Sequence, residues 1–261
     1  MVKKNRLKEI IREGRVAVGT GIYSFSPAAV EVAGYAGLDF VYIDTEHTPV
    51  DWQTLENLVR AAEIAGVTPI IRPEENDSTF IRKCLEIGAQ GVLVPHVSTK
   101  EEAVRAVRAA RFPPRGVRGA AGIVRSAEYS VRDWVRYVEE SDREAMVIVM
   151  TEEEKAIDNL EEILSVEGID AVCVGFVDLS ISLGLPGQVR HPRVQEAFGK
   201  VIVEAKRRGI AVMCSVSPPY AERARELVER GVRVLIFGHD VSLLYRTWQG
   251  IASEIREALR Q

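Results

Sequence analysis

The sequence predicts a single-domain (β/α)8 barrel of the TIM type, and three observations carry that prediction. Eight short runs of β-branched and apolar residues recur along the chain. Most are followed by a longer stretch whose apolar residues repeat at intervals of three and four. The short runs are apolar almost throughout instead of alternating with polar residues. Strands buried on both faces belong to a parallel sheet covered by helices, and eight βα units in about 250 residues fit a closed barrel.

Taken in order, the strand candidates are VAVGTGI (16–22), FVYID (40–44), TPIIR (68–72), GVLVP (91–95), MVIVM (146–150), AVCVGF (171–176), AVMCS (211–215) and VRVLIFG (232–238). Helical periodicity marks 51–66, 79–89, 100–112, 159–166, 194–209, 219–231 and 241–260, several of them ending at glycine, as helix C-termini do. The competing arrangement is an open doubly wound sheet. Against it, the first strand-to-helix turn, TGIYSFSP, has no G-x-G-x-x-G phosphate loop. The one irregular stretch, FPPRGVRGAAGIVRSAEYS (112–130), is too long for a simple turn, and such loops tend to be functional or interfacial. There is no repeat, low-complexity tract or linker, so one domain over 1–261 is expected.

Composition narrows the function. Of 261 residues, 46% are hydrophobic and 28% charged, and a net charge of −4 comes without a basic stripe, which argues against nucleic acid. The charged start MVKKNRLKEIIREGR does not read as a signal peptide, and no apolar run approaches the ~20 residues of a membrane span, so a soluble cytoplasmic protein is expected. Cys84, Cys173 and Cys214 are odd in number, far apart and set in apolar runs. They read as buried hydrophobes, neither a disulfide framework nor a zinc site.

In a barrel the active site lies at the C-terminal ends of the strands. Just past those ends come Asp44, Glu46 and His47, then Arg72, His96, Glu152, Asp178, Ser215, and finally His239 and Asp240, whereas the opposite ends carry ordinary turns such as GLD, AGVT and EGID. Each has an ordinary reading: Asp44 as a turn acceptor, His47 as a loop histidine, Glu152 as a favourable charge in a helix's first turn, Asp178 as a helix N-cap. His96, His239 and Asp240 lean to that side, and His191 reads as loop. Arg72 is harder to dismiss, because a cation at a barrel mouth needs a partner or an anionic ligand. Together the set points to enolate chemistry. Carboxylates without a thiolate or histidine cluster suit a hard divalent cation that polarises a 2-oxo acid, an arginine steadies the enolate oxygen, and a histidine moves the proton.

The stretches FVYIDTEHTPVDWQTL, TPIIRPEENDSTFIRKCLEIGAQGVLVPHV, FPPRGVRGAAG and TEEEKAIDNLEEILSVEGIDAVCVGFVDLSISLG resemble the HpcH/HpaI aldolase family over roughly 15–245. The resemblance implies a (β/α)8 barrel and a class II aldolase that uses magnesium, manganese or cobalt. It implies cleavage or formation of 4-hydroxy-2-oxo acids from pyruvate and an aldehyde, and a homo-oligomer, typically a hexamer. Helix 241–260 is expected to take part in oligomer contacts. By position, the resemblance makes His47 the acid/base residue working through water, Arg72 the enolate stabiliser, and Glu152 and Asp178 the metal ligands. Glu86 stands where the family has an aspartate that orients the histidine. Arg118 and Gly119 match an interface loop near the site.

Three positions depart from the family pattern. Gly175-Phe176-Val177-Asp178-Leu179 replaces G-P-x-D-L, so Phe176 is expected to narrow or redirect the pocket while Val177 still offers its N–H to the substrate carboxylate. Met150 replaces a glutamine, and Ile123 a serine, making the substrate side less polar. The alternatives are a related 2-oxo acid decarboxylase, a lyase for a larger acid, or a catalytically silent relative that binds a metal or metabolite. A phosphate-binding barrel enzyme is disfavoured, because CSVSPPY and FGHDVS form no glycine-rich loop.

Overall fold

A computed structural model describes residues 2–260. Eight strands, β1 (Ala17–Ile22), β2 (Phe40–Asp44), β3 (Thr68–Arg72), β4 (Gly91–Val94), β5 (Met146–Thr151), β6 (Ala171–Val174), β7 (Ala211–Val216) and β8 (Val234–His239), pair in parallel in chain order, and β8 closes on β1. All eight expected strands form, with ends within two residues of the expected ones. The helices are α1 (Arg6–Arg12), α2 (Pro27–Tyr35), α3 (Trp52–Ala65), α4 (Ser78–Glu86), α5 (Lys100–Ala109), α6 (Trp134–Glu144), α7 (Glu154–Asp158), α8 (Leu160–Leu164), α9 (Phe176–Ser182), α10 (Pro192–Arg208), α11 (Tyr220–Arg230) and α12 (Asp240–Ala258). The seven expected helices are present, and α1, α2, α6, α7 and α9 are additional.

The strand alternation sorts two cores. Phe40, Tyr42, Ile70, Leu93, Met146, Ile148, Met150, Cys173, Met213 and Ile236 point into the barrel and fill it. Their neighbours Val41, Ile43, Ile71, Val92, Val147, Val172, Val212 and Leu235 point outward under the helices. Both faces of each strand are therefore covered, which is why the strands read as continuous apolar runs. Leu7 and Ile10 of α1 belong to the inner core, and Asn5 caps that helix by accepting from the Lys8 N–H at 3.1 Å.

Two additional helices explain themselves. α2 starts where the Ser26 hydroxyl accepts from the Ala29 N–H, with Pro27 preset for a first turn. In α6 the buried residues are Tyr137, Ser141, Asp142 and Glu144, while Trp134 and Val135 are exposed, so its apolar residues mark the inward face only in part. Asp142 is buried because it accepts from the Phe112 N–H at 3.0 Å, and Glu144 because it accepts from the Asn5 N–H at 2.9 Å.

The stretch 112–130 is irregular as expected, with one short 3-10 turn at Arg125–Ala127. Phe112, Ala127 and Tyr137 form a small core of their own beneath it. All three cysteines are free and buried, as their apolar settings implied. Burial pushes the Cys214 thiol up to about 12. Among the described residues no helix is long and apolar enough to cross a membrane.

Candidate active site

The strand ends at one rim converge on Arg72. In the β2–β3 register Asp44 lies beside Arg72, and both close their strands facing inward, above Tyr42 and Ile70. Arg72 Nε donates to Asp44 Oδ1 at 2.7 Å. Arg72 Nη1 lies 2.9 Å from Glu46 Oε2, a charge contact without hydrogen-bond alignment. Arg72 Nη2 donates to the Tyr23 hydroxyl at 2.9 Å. Burial alone would lower the guanidinium pKa, but the hydrogen bond and charge of Asp44 outweigh it and raise it.

Asp44 is fully buried and is the hub of the corner that the sequence makes conspicuous. Besides Arg72 it accepts from the backbone N–H groups of Glu46 and His47 at 3.1 and 3.3 Å. Asp44 thus serves as the turn's acceptor and as the partner that orients the arginine with the same pair of oxygens. His47 itself points outward, with a side chain 59% exposed and its Nε2 3.7 Å from Glu46 Oε2.

On the other side of the rim Glu152 is buried just past β5, before α7 begins. It is therefore a strand-end group and not part of a helical first turn. Its Oε1 accepts from the His96 N–H at 2.8 Å. Burial raises its pKa, and the nearby charges of Glu46 and Asp178 add to that against the pull of His96. Gly175 leaves the space that the Glu152 carboxylate occupies: a Cβ there would stand 2.6 Å from Glu152 Oε2. Asp178 lies in the first turn of α9, whose N-cap is Gly175 and not Asp178, and no side chain caps that end.

His96, which the sequence left on the ordinary side, sits among these carboxylates. Its Nε2 is 3.1 Å from Glu46 Oε1, and its Nδ1 is 3.2 Å from Glu153 Oε1. The residue adopts a left-handed backbone conformation (φ 52°), unusual for anything but glycine. Burial pulls the imidazole pKa down, but the charges of Glu152 and Glu46 win and raise it.

Two residues that sequence reasoning passed over also belong here. Tyr23 and Tyr42 bring their hydroxyls within 3.3 Å of each other beside Arg72, and His239 stacks edge-on against Tyr23. The period-2 pattern carried a signal for one of them, because Phe40, Tyr42 and Asp44 share a face of β2.

Three expectations need correction. Glu86 does not meet His47 within the chain. It ends α4, which runs back from the rim, and it pairs with Arg82 at 3.1 Å in an i,i+4 contact. The Phe176 ring does not narrow the mouth. It packs outward, edge-on against Phe198 of α10 with centroids 4.9 Å apart. Ile123 is 81% exposed and lines an outer cavity with Trp52, Lys83 and Glu86, away from Arg72. Met150 does lie in the inner core, one residue before the end of β5. Val177 is exposed on the open end of α9. Arg118 is buried against the Phe112 ring, and Gly119 lies near Arg82, both away from this rim.

Comparison with known proteins gives this geometry a context. Residues 20–247 match the HpcH/HpaI aldolase/citrate lyase family. A pyruvate aldolase from Rhizobium etli is 34% identical over 254 residues, covering 95% of this chain and 96% of that protein. A 4-hydroxy-2-oxo-heptane-1,7-dioate aldolase from Shigella sonnei is 34% identical over 253 residues, covering 96% and 94%. The crystal structure of an aldolase/citrate lyase family protein from Burkholderia cenocepacia superposes with a TM-score of 0.90 at 33% identity, covering 97% of this chain and all of that one.

Proposed function

Because the chain belongs to the HpcH/HpaI aldolase/citrate lyase family, we propose that it is a divalent-metal-dependent carbon–carbon lyase that cleaves or forms 4-hydroxy-2-oxo acids through a pyruvate enolate. The observation that carries the reading is the buried Arg72, held by Asp44 and Glu46, at the same rim as the buried Glu152 and the nearby Asp178.

The residues fit a metal of the right kind. Glu152 is a buried carboxylate whose charge is disfavoured by burial and by its acidic neighbours, an electrostatic setting that a cation relieves. The donors are oxygens, and among the described residues no cluster of three or more His, Cys, Asp or Glu side chains forms a ready cage. Few protein oxygens and several retained waters are what magnesium accepts, with manganese and cobalt(II) as substitutes. Glu152 and Asp178 would hold the ion, which would supply Lewis-acid polarisation of a 2-oxo acid's carbonyl.

The chain's own groups do the rest. A guanidinium has five N–H donors. Asp44 and Tyr23 take one each, and Glu46 lies against Nη1 as a charge contact, so N–H groups on Nη1 and Nη2 remain to steady the oxygen that gains charge as the C3–C4 bond breaks. The Val177 N–H, on the uncapped turn of α9, meets the substrate carboxylate, and Met150 floors the site with an apolar group. His47, exposed and held only loosely by Glu46, takes the C4 hydroxyl proton through water as the aldehyde leaves. It returns a proton to C3 to give pyruvate.

The whole chain serves as one barrel domain, and α12 supports assembly. Leu244, Tyr245, Trp248, Ile251 and Ile255 are all exposed along that helix, and a second copy of the chain covering them accounts for the stripe in a homo-oligomer. The functional test is pyruvate release from a racemic 4-hydroxy-2-oxo acid, followed with added magnesium or manganese. Release that stops with chelator and returns with metal supports the proposal. Metal-independent release, or none with any ion, overturns it.

A further inference from the structure

The rim has two chemically different sides. Glu152 and Asp178 lie past β5 and β6. Across the barrel, past β1, β2 and β8, stands a wall of Tyr23, Tyr42 and His239. The wall exists because Gly21 has no side chain: a Cβ there would sit 2.7 Å from Tyr42 Cζ and 2.8 Å from His239 Cδ2.

The hydrogen bonding gives this wall a direction. Tyr42 is almost fully buried and its hydroxyl lies 3.3 Å from that of Tyr23, a contact in which either oxygen can donate. Because a buried phenol proton needs an acceptor, Tyr42 is assigned as the donor to the Tyr23 oxygen. The Tyr23 oxygen also accepts from Arg72 Nη2 at 2.9 Å. Two donors on one phenol oxygen leave its own O–H to be given away. Asp44 is near enough to take the Tyr23 proton, but it already accepts the Arg72 Nε–H and two backbone N–H groups. A ligand oxygen competes for that proton with a carboxylate left with about one open acceptor position.

Charge decides what kind of ligand. Around the wall stand the carboxylates of Asp44, Glu46 and Asp240, the last accepting from the Tyr23 and Ser24 N–H groups at 2.9 and 3.1 Å, against the cations Arg72 and, near His239, Arg246. A second carboxylate on the incoming molecule would meet net negative charge, whereas a neutral hydroxyl meets a phenol donor and an imidazole.

We propose that Tyr23, backed by Tyr42 and His239, forms the acceptor side of the site and selects a neutral hydroxyaldehyde, its O–H donating to the acceptor's hydroxyl oxygen. This rests on the pyruvate-enolate reading above. The test compares pyruvate coupling to glycolaldehyde, to propanal, which has a methyl in place of the hydroxyl, and to glyoxylate, which has a carboxylate. In the wild-type protein glycolaldehyde is used with the highest kcat/KM of the three. In Tyr23→Phe the glycolaldehyde-to-propanal ratio of kcat/KM falls by about 5- to 10-fold, the size of one neutral hydrogen bond, mainly through KM for the hydroxyaldehyde. A role of Tyr23 confined to supporting Arg72 would lower both acceptors equally and leave the ratio unmoved, which overturns the inference. A wild-type preference for glyoxylate or propanal also overturns it, and that ranking needs no variant to fold. Loss of metal-dependent pyruvate methyl exchange in the wild-type protein would instead remove the enolate reading, and this inference with it. Normal exchange with an unmoved ratio removes this inference alone.

Discussion

Arg72 shows how a residue type at a given place becomes legible. A cation closing an apolar strand demands partners, and the sequence supplies Asp44 and Glu46 one strand away. The structure joins them, with the Nε–Asp44 bond at 2.7 Å and the Glu46 contact at 2.9 Å. Lysine cannot reproduce a planar fork held at three points. Arg72→Lys is therefore expected to lower kcat for pyruvate formation about 100-fold, the scale of losing a preorganised oxyanion donor. A loss below about 3-fold in steady-state kinetics would show that a point charge suffices. Other residues were legible only in part. Tyr42 is visible from the alternation of β2, but Tyr23 lies past the strand end, where periodicity says nothing about direction. His96 reads as an ordinary loop histidine in the sequence because its charged surroundings come from Glu46, Glu152 and Glu153, three carboxylates brought from two loops. Glu86 takes its expected role from the resemblance alone, and in the fold it closes α4 and pairs with Arg82.

At the scale of elements, the strand order and both faces of the sheet were readable because parallel strands covered by helices leave a continuous apolar record. Helices that bury polar residues leave none, and α6 is the example: Ser141, Asp142 and Glu144 face inward. The short α9 matters more than its length suggests, because its Gly175 cap makes room for Glu152. Gly175→Ala places a Cβ against Glu152 Oε2, so it is expected to weaken manganese binding by about 10-fold or more, the range seen when groups around a metal ligand are displaced. Titration calorimetry on the folded variant reads this directly, and unchanged affinity would mean that Glu152 does not hold the ion. The irregular stretch before α6 is tied down by Arg125, which donates to Glu63 Oε1 of α3 at 2.9 Å and to the Ile87 carbonyl at 3.0 Å. Burial acts to raise the Glu63 pKa, but Arg125 and Lys3 outweigh it and bring it below 4.5. A carboxylate with a lowered folded pKa stabilises fully above its unfolded value and loses that contribution as pH falls through the folded value. Glu63→Gln should thus lower Tm at pH 7, and the gap from wild type should shrink as the pH is taken below 4.5. A gap independent of pH would assign the effect to packing alone.

At the scale of the whole molecule, the barrel gathers residues far apart in the chain at one rim and leaves α12 with no buried residue. A 19-residue helix carrying exposed Leu244, Tyr245, Trp248, Ile251 and Ile255 is a stripe in need of a cover. Trp248→Glu is expected to shift the protein to a smaller species in sedimentation velocity, whereas an unchanged distribution would place the assembly contacts elsewhere. The proposed mechanism has Arg72, Glu152 and Asp178 act together on a pyruvate enolate. It is tested most directly by following the exchange of pyruvate methyl protons in D2O by NMR, which needs no knowledge of the aldehyde. Exchange that requires manganese or magnesium, stops with chelator and is lost in Glu152→Gln is the predicted result. Metal binding without exchange in the wild-type protein, or exchange that survives in Glu152→Gln, would contradict it.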